Sequence, residues 1–88
     1  MFYVYVLKSL RDSDLYVGST NDLKQRVSEH NSGKVVATKP RIPFKLLYYE
    51  AYLAEGDARL REGALKLRGQ ARVHLLKRLK RSLLQSKS

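Results

Sequence analysis

Residues 2–7 alternate Phe-Tyr-Val-Tyr-Val-Leu, and that run dictates the first element of the chain. Successive strand residues point to opposite sides, so Phe2, Val4 and Val6 share one side and Tyr3, Tyr5 and Leu7 the other. The β-branched and aromatic content favours a strand over a helix. Arg11-Asp12-Ser13-Asp14 is a polar turn cluster, and Leu15-Tyr16-Val17-Gly18 reads as a second short strand, so an antiparallel hairpin with a longish loop is the simplest connection. Gly18 ends that strand where bare backbone or a positive φ is needed.

Thr20-Asn21-Asp22 signals a helix start, and Asn31-Ser32-Gly33 its stop. Between them Leu23 and Val27 bury one face, while Arg26 and His30, also four apart, project from a neighbouring one. Residues 34–43, with two prolines and three cations, are expected to form a loop, and Phe44 to Leu53 a third strand. Residues 54–68 favour a second helix in which Ala58, Glu62 and Leu65 share a face. An acid on a packed face is costly unless something pairs with it, which singles out Glu62. Gly69 breaks this helix. One last amphipathic helix is expected after it, with Leu75, Leu76, Leu79 and Leu83 on one stripe and Lys77, Arg78 and Arg81 opposite, and Gln85 to Ser88 fraying.

Eighty-eight residues hold one domain, and the absence of cysteine rules out disulfides and thiolate metal sites, as suits a cytoplasmic protein. No apolar run approaches a membrane span, and the N-terminus does not read as a signal peptide. The net charge of +10 is unevenly placed. Residues 1–65 carry ten Lys or Arg against eight Asp or Glu, whereas residues 66–88 carry eight basic side chains and no acid. Such a block attracts polyanions, with nucleic acid the leading partner. A helix lying on anionic lipid and a merely solvated basic face are the alternatives.

Several familiar sites are excluded. There is no phosphate-binding Gly loop followed by Lys-Ser/Thr, no dinucleotide fingerprint, no zinc-ligand cluster and no aspartate cluster for two metals. What remains is one singled-out carboxylate, with cations and tyrosines. A single Glu can hold a Mg²⁺ that keeps most of its waters, and an Arg can neutralise charge growing on phosphoryl oxygens. A tyrosine can take a proton from attacking water if its pKa, about 10 when unperturbed, is pulled down by nearby cations or metal. Each residue alone has a blander role: Tyr5 and Tyr16 as sheet tyrosines, Arg26 and His30 as a helix face, and Glu62 as a partner for Arg59 or Lys66. Tyr48, Tyr49 and Tyr52 are assigned to sheet packing, with base stacking by one of them left open.

The ordered set Val4-Tyr5-Val6, Tyr16-Val17-Gly18-Ser19-Thr20, Arg26, His30-Asn31, Thr38, Pro43 and Glu62 with Lys66 resembles the GIY-YIG nuclease superfamily, in particular its small stand-alone bacterial members. The resemblance covers residues 2–67. It implies an α+β fold, a small three-stranded antiparallel sheet flanked by helices, with a nuclease domain over residues 1–69 and the basic helical segment 70–88 packed on or extending it. It further implies Tyr5 as general base, Tyr16 as its assistant, Arg26 on the scissile phosphate, His30 aligning the nucleophile and Glu62 as the lone metal ligand. The first motif's glycine is Tyr3 here and its isoleucine Val4, and the second motif's isoleucine is Val17. The expected activity is an endonuclease using Mg²⁺ or Mn²⁺ on DNA with little sequence preference. Lys34, Lys39, Arg41, Lys45, Lys66, Lys77, Arg78 and Arg81 are the candidate phosphate contacts. Single-stranded, duplex and branched DNA all fit, RNA remains open, and a non-catalytic nucleic-acid binder on the same scaffold is the rival.

Overall fold

The first strand, β1 (Phe2–Ser9), is the middle strand of three. In the computed structural model, which describes residues 1–67 and 69–86, it is flanked by β2 (Leu15–Thr20) and β3 (Phe44–Tyr52), both antiparallel to it. The strand order is β2-β1-β3. A middle strand with apolar side chains on both sides needs cover on both faces, and the helices supply it.

On one face Val4, Val6 and Val17 pack against Ala58 and Leu65 of α2 (Glu55–Lys66), Leu75 of α3 (Gln70–Arg78) and Leu79. On the other, Tyr5, Leu7 and Phe44 meet Tyr16, Ile42, and Leu23 and Val27 of α1 (Leu23–Asn31). The architecture is α+β, a three-stranded antiparallel sheet with flanking helices, as expected.

Both ends of α1 are fixed by polar side chains. Asp22 is the N-cap, its Oδ1 accepting from the Gln25 amide at 3.1 Å. After the last turn Gly33 takes φ +77°, the left-handed conformation that closes a helix. The Asn31 amide group then clasps the start of β3, donating to the Phe44 carbonyl at 3.1 Å and accepting from its amide at 2.6 Å. That double bond sets where His30, one residue earlier, enters the sheet.

Three expectations change. The segment 34–43 is not all loop, since Lys39–Arg41 form a 3-10 turn whose amides reach back to Val35 and Thr38; Pro40 presets its backbone. The segment after Gly69 is two helices rather than one. It bends at Leu79 (φ −99°, ψ 16°) before α4 (Lys80–Gln85), and Leu75 and Leu79 both sit in the core. Fraying does not extend to Ser86, which is 1% exposed. Its hydroxyl donates to the Leu83 carbonyl at 2.7 Å and accepts from the buried Lys8 ammonium at 3.1 Å, which ties the chain end to the middle strand. The remaining fraying expectation, for Lys87 and Ser88, and the expected helical residue Arg68 lie outside the described residues.

The tyrosines of β3 do more than pack. Tyr48 and Tyr52 both donate to the Glu50 carboxylate, which Arg61 of α2 grips from Nε at 2.9 Å and Nη2 at 3.0 Å. Burial pushes the Glu50 carboxyl up, but Arg61 and the two hydroxyls outweigh it and hold it below the usual value. This clamp fixes α2 along β3, one residue from Glu62. Among the described residues no helix is long and apolar enough to cross a membrane.

Candidate active site

β1 carries Tyr5 directly opposite Gly18 of β2, and the pairing is a matter of space. A Cβ on Gly18 would stand 2.6 Å from Tyr5 Cζ, so only a bare backbone lets the Tyr5 ring lie across the strand. The expectation that Gly18 provides close approach holds, without a positive φ, but Gly18 lies inside β2 rather than at its end, because Ser19 and Thr20 still pair with β1.

The Tyr5 hydroxyl meets His30 Nε2 at 2.8 Å, and His30 Nδ1 meets Thr38 Oγ1 at 2.8 Å. Thr38 donates its own proton to the Val35 carbonyl at 3.4 Å. It therefore accepts from His30 Nδ1–H, which leaves Nε2 as the acceptor for the Tyr5 O–H. Tyr16 completes the cluster, its ring 4.9 Å from that of His30 and 6.4 Å from that of Tyr5.

Tyr5 is 1% exposed and His30 fully buried. Burial pushes the Tyr5 hydroxyl up to about 12, although Arg26 pulls the other way. A lowered tyrosine pKa, the condition for a base at neutral pH, is therefore not met by the protein alone. Burial and the nearby Arg26 charge also lower the His30 pKa, so the imidazole is neutral near pH 7.

Arg26 leaves this buried group and opens onto a cleft of about 400 Å³, which Ser19, Gln25, Glu55 and Arg59 also line. Its guanidinium pairs with Glu29 at 3.1 Å. Glu62 approaches from the other face of the sheet. Ser19, one residue past Gly18 and therefore on the opposite side of the pleat, donates to Glu62 Oε1 at 2.6 Å. Lys66 binds Glu62 Oε2 at 2.7 Å, while Arg59 pairs with Glu55 instead. Burial raises the Glu62 carboxyl, but Lys66 and Ser19 outweigh it and hold it ionised below the usual range. The candidate site thus straddles the edge strand β2, with tyrosines and histidine on one side and the carboxylate on the other.

A family model described as the GIY-YIG catalytic domain matches residues 1–81. The chain belongs to the GIY-YIG family. Among its relatives, a UPF0213 protein of Streptococcus agalactiae is 40% identical over 80 residues, covering 89% of this chain and 90% of that protein. One of Streptococcus pyogenes is 43% identical over 67 residues, covering 75% and 72%. The solution NMR structure of a UPF0213 protein from Bacillus halodurans superposes with a TM-score of 0.55 at 33% identity, covering 91% of this chain and 86% of that one.

The basic candidates of this GIY-YIG chain are dispersed. Lys34, Lys39, Lys45, Lys77, Arg78 and Arg81 are exposed, and Lys66 is held by Glu62. Arg41 is committed within the protein, bonded to Asp12 at 2.8 Å and lying 5.4 Å over the Phe44 ring. Sequence reasoning missed Ser19 as the holder of Glu62 and Glu29 as the partner of Arg26. The second was visible in the i, i+3 spacing, while the first depends on strand register. Thr38 was matched without a role, and its bond to His30 supplies one.

Proposed function

We propose that this protein is a divalent-metal-dependent endonuclease that hydrolyses phosphodiester bonds in DNA with little sequence preference, acting in the cytoplasm. One observation carries the reading: Ser19 holds Glu62 at the strand position next to Gly18, beside the Tyr5, Tyr16, His30 and Arg26 group. The donor set suits the metal. Glu62 and the Ser19 hydroxyl offer hard oxygens, and Lys66 already shows that the carboxylate attracts a cation. Lys66 is half-exposed, so a bound cation would replace a solvent-facing partner of the carboxylate.

Glu62, with Ser19 beside it, would hold a Mg²⁺ or Mn²⁺ that keeps most of its waters; when bound, the ion supplies positive charge to the phosphoryl oxygens. Arg26, at the cleft, neutralises charge building on the scissile phosphate. Tyr5 takes a proton from the attacking water as its own proton passes to the lone pair on His30 Nε2. The water oxygen bonds to phosphorus, the P–O bond to the leaving oxygen breaks, that oxygen takes a proton from solvent water, and His30 returns its extra proton through Tyr5. Tyr16 positions Tyr5 and His30. Arg26 favours ionisation of Tyr5 and the Glu62 charge opposes it, so neutralising that carboxylate favours the base. The segment from residue 70 onward adds affinity through Lys77, Arg78 and Arg81.

A second reading, a non-catalytic nucleic-acid binder, is favoured by the burial and raised pKa of Tyr5. Plasmid and single-stranded DNA incubated with the protein and with a Glu62→Ala variant, in Mg²⁺, Mn²⁺ or chelator, separate the two. Metal-dependent nicking lost in the variant, with binding retained, supports the enzyme. Binding without nicking, or equal background cutting by both proteins, assigns the binder.

A further inference from the structure

The second cleft of the molecule has no part in the chemistry proposed above. It measures about 560 Å³ and lies on the α1 face of the sheet, toward the free edge of β3. Tyr3, Leu46 and Tyr49 form its apolar wall, and Lys24 supplies a cation. Tyr49 is the unusual member. Its register places it opposite Tyr5 on the same face, yet it stays 52% exposed where Tyr5 is buried. Tyr3 braces it edge-on, with ring centroids 6.0 Å apart at 64°. A braced aromatic ring left half in water presents a preformed π surface, already ordered before any ligand arrives.

Asn21 and Asp22 line both this cleft and the one onto which Arg26 opens, so the two join at the start of α1. Asp22 is engaged at Oδ1 in capping the helix, and Lys24 is the cation of the lining. The volume is in the range of small-ligand sites and accommodates a nucleobase. With a net charge of +10, a polyanion is favoured over a second copy of the chain.

We propose that this cleft binds an unpaired nucleobase adjoining the scissile phosphate, stacked on Tyr49. The proposal rests on the nucleic-acid reading of the Arg26 cleft and makes it specific: the substrate is single-stranded, or has a base splayed out beside the cut. A base inside a duplex has both faces covered by its neighbours and has none to offer Tyr49.

The test is anisotropy binding of short labelled oligonucleotides in chelator, so that no cleavage is required. Tyr49→Ala is expected to weaken single-stranded DNA binding about tenfold while leaving the matching duplex unchanged. Tyr49→Phe retains wild-type affinity, because the ring is what stacks. A single strand with abasic positions binds the wild type as weakly as it binds Tyr49→Ala. A single-stranded RNA arm shows the same loss, since its bases carry the same faces. Equal weakening on single strand and duplex, or no weakening on either, overturns the proposal. So does self-association of the wild type abolished by Tyr49→Ala with oligonucleotide binding intact, which would give the surface to a second copy. An unchanged thermal melt for Tyr49→Ala shows that the fold is intact. Because binding alone is read, an absence of nuclease activity would defeat the enzyme reading and leave the stacked base beside a phosphate that is bound at Arg26 but not cut.

Discussion

The Tyr5 hydroxyl donates to His30 Nε2 at 2.8 Å while burial drives the two pKa values apart, tyrosine up and histidine down. A proton transfer from Tyr5 to His30 is therefore uphill in the free protein; positive charge on the Tyr5 side would favour the ionised hydroxyl, whereas positive charge beside His30 would oppose the imidazolium. The geometry is preformed, whereas the driving force has to come from what binds.

Thr38 sets the tautomer on which this arrangement depends. Thr38→Val keeps the shape but leaves His30 Nδ1–H without its buried acceptor, at a cost of about 1–3 kcal/mol in stability. Nitrogen NMR of the ring is expected to show the proton on Nδ1 in the wild type and a mixture in the variant. In a pH titration His30 is expected to change charge below the ordinary value of 6.5. The unfolded chain then takes the proton first, so this residue's share of stability is present above about 6.5 and is lost as pH falls toward the folded value. A His30 titrating above the ordinary value would contradict the burial argument.

Gly18 is required by the Tyr5 ring, so Gly18→Ala should destabilise the protein by about 1–3 kcal/mol through overpacking. In a Tyr5→Val background the same substitution should cost much less, because the clash at 2.6 Å from Tyr5 Cζ is gone. Denaturant unfolding of the four proteins measures the coupling. Equal costs in both backgrounds would show that the constraint on Gly18 lies elsewhere.

The strands were legible because alternation on residues 2–7 assigns each side chain to a face, and α1 because its cap and stop residues are local signals. The bend at Leu79 was not, since Leu75, Leu76, Leu79 and Leu83 fit one helical stripe. Only the shape of the core shows that Leu75 and Leu79 enter it together. Tyr5, Tyr16, Arg26 and His30 were recognisable as a group, and the rings of Tyr5, Tyr16 and His30 do lie together in the structure. Their depth was not legible, because burial is set by α1 and the Thr38 segment closing over the sheet. Ser19 escaped notice for a related reason: its bond to Glu62 spans 43 residues and exists only in this register.

Arg61 and Glu50 form the clamp behind Glu62. Arg61→Ala should cost about 1–3 kcal/mol, since Glu50 keeps two hydroxyl donors but loses its counter-charge. The carboxyl is held below its usual value, so the wild-type contribution is present above the unfolded pKa of about 4.3 and drains as pH falls through the folded value. The variant should lose less stability on acidification than the wild type. Parallel acid limbs in urea unfolding would exclude a role for this pair.

Tyr5 and Glu62, on opposite faces of the sheet, are proposed to serve one reaction across the edge strand β2. Single-turnover cleavage of one labelled DNA strand in Mg²⁺ tests it with Tyr5→Phe, Glu62→Ala and the double variant, all at saturating protein. Residues that act as a unit give losses that do not multiply. If Tyr5 and Glu62 act together, the double variant cleaves no more slowly than the slower single one. Losses that multiply, or a Glu62→Ala variant as fast as the wild type, would contradict it.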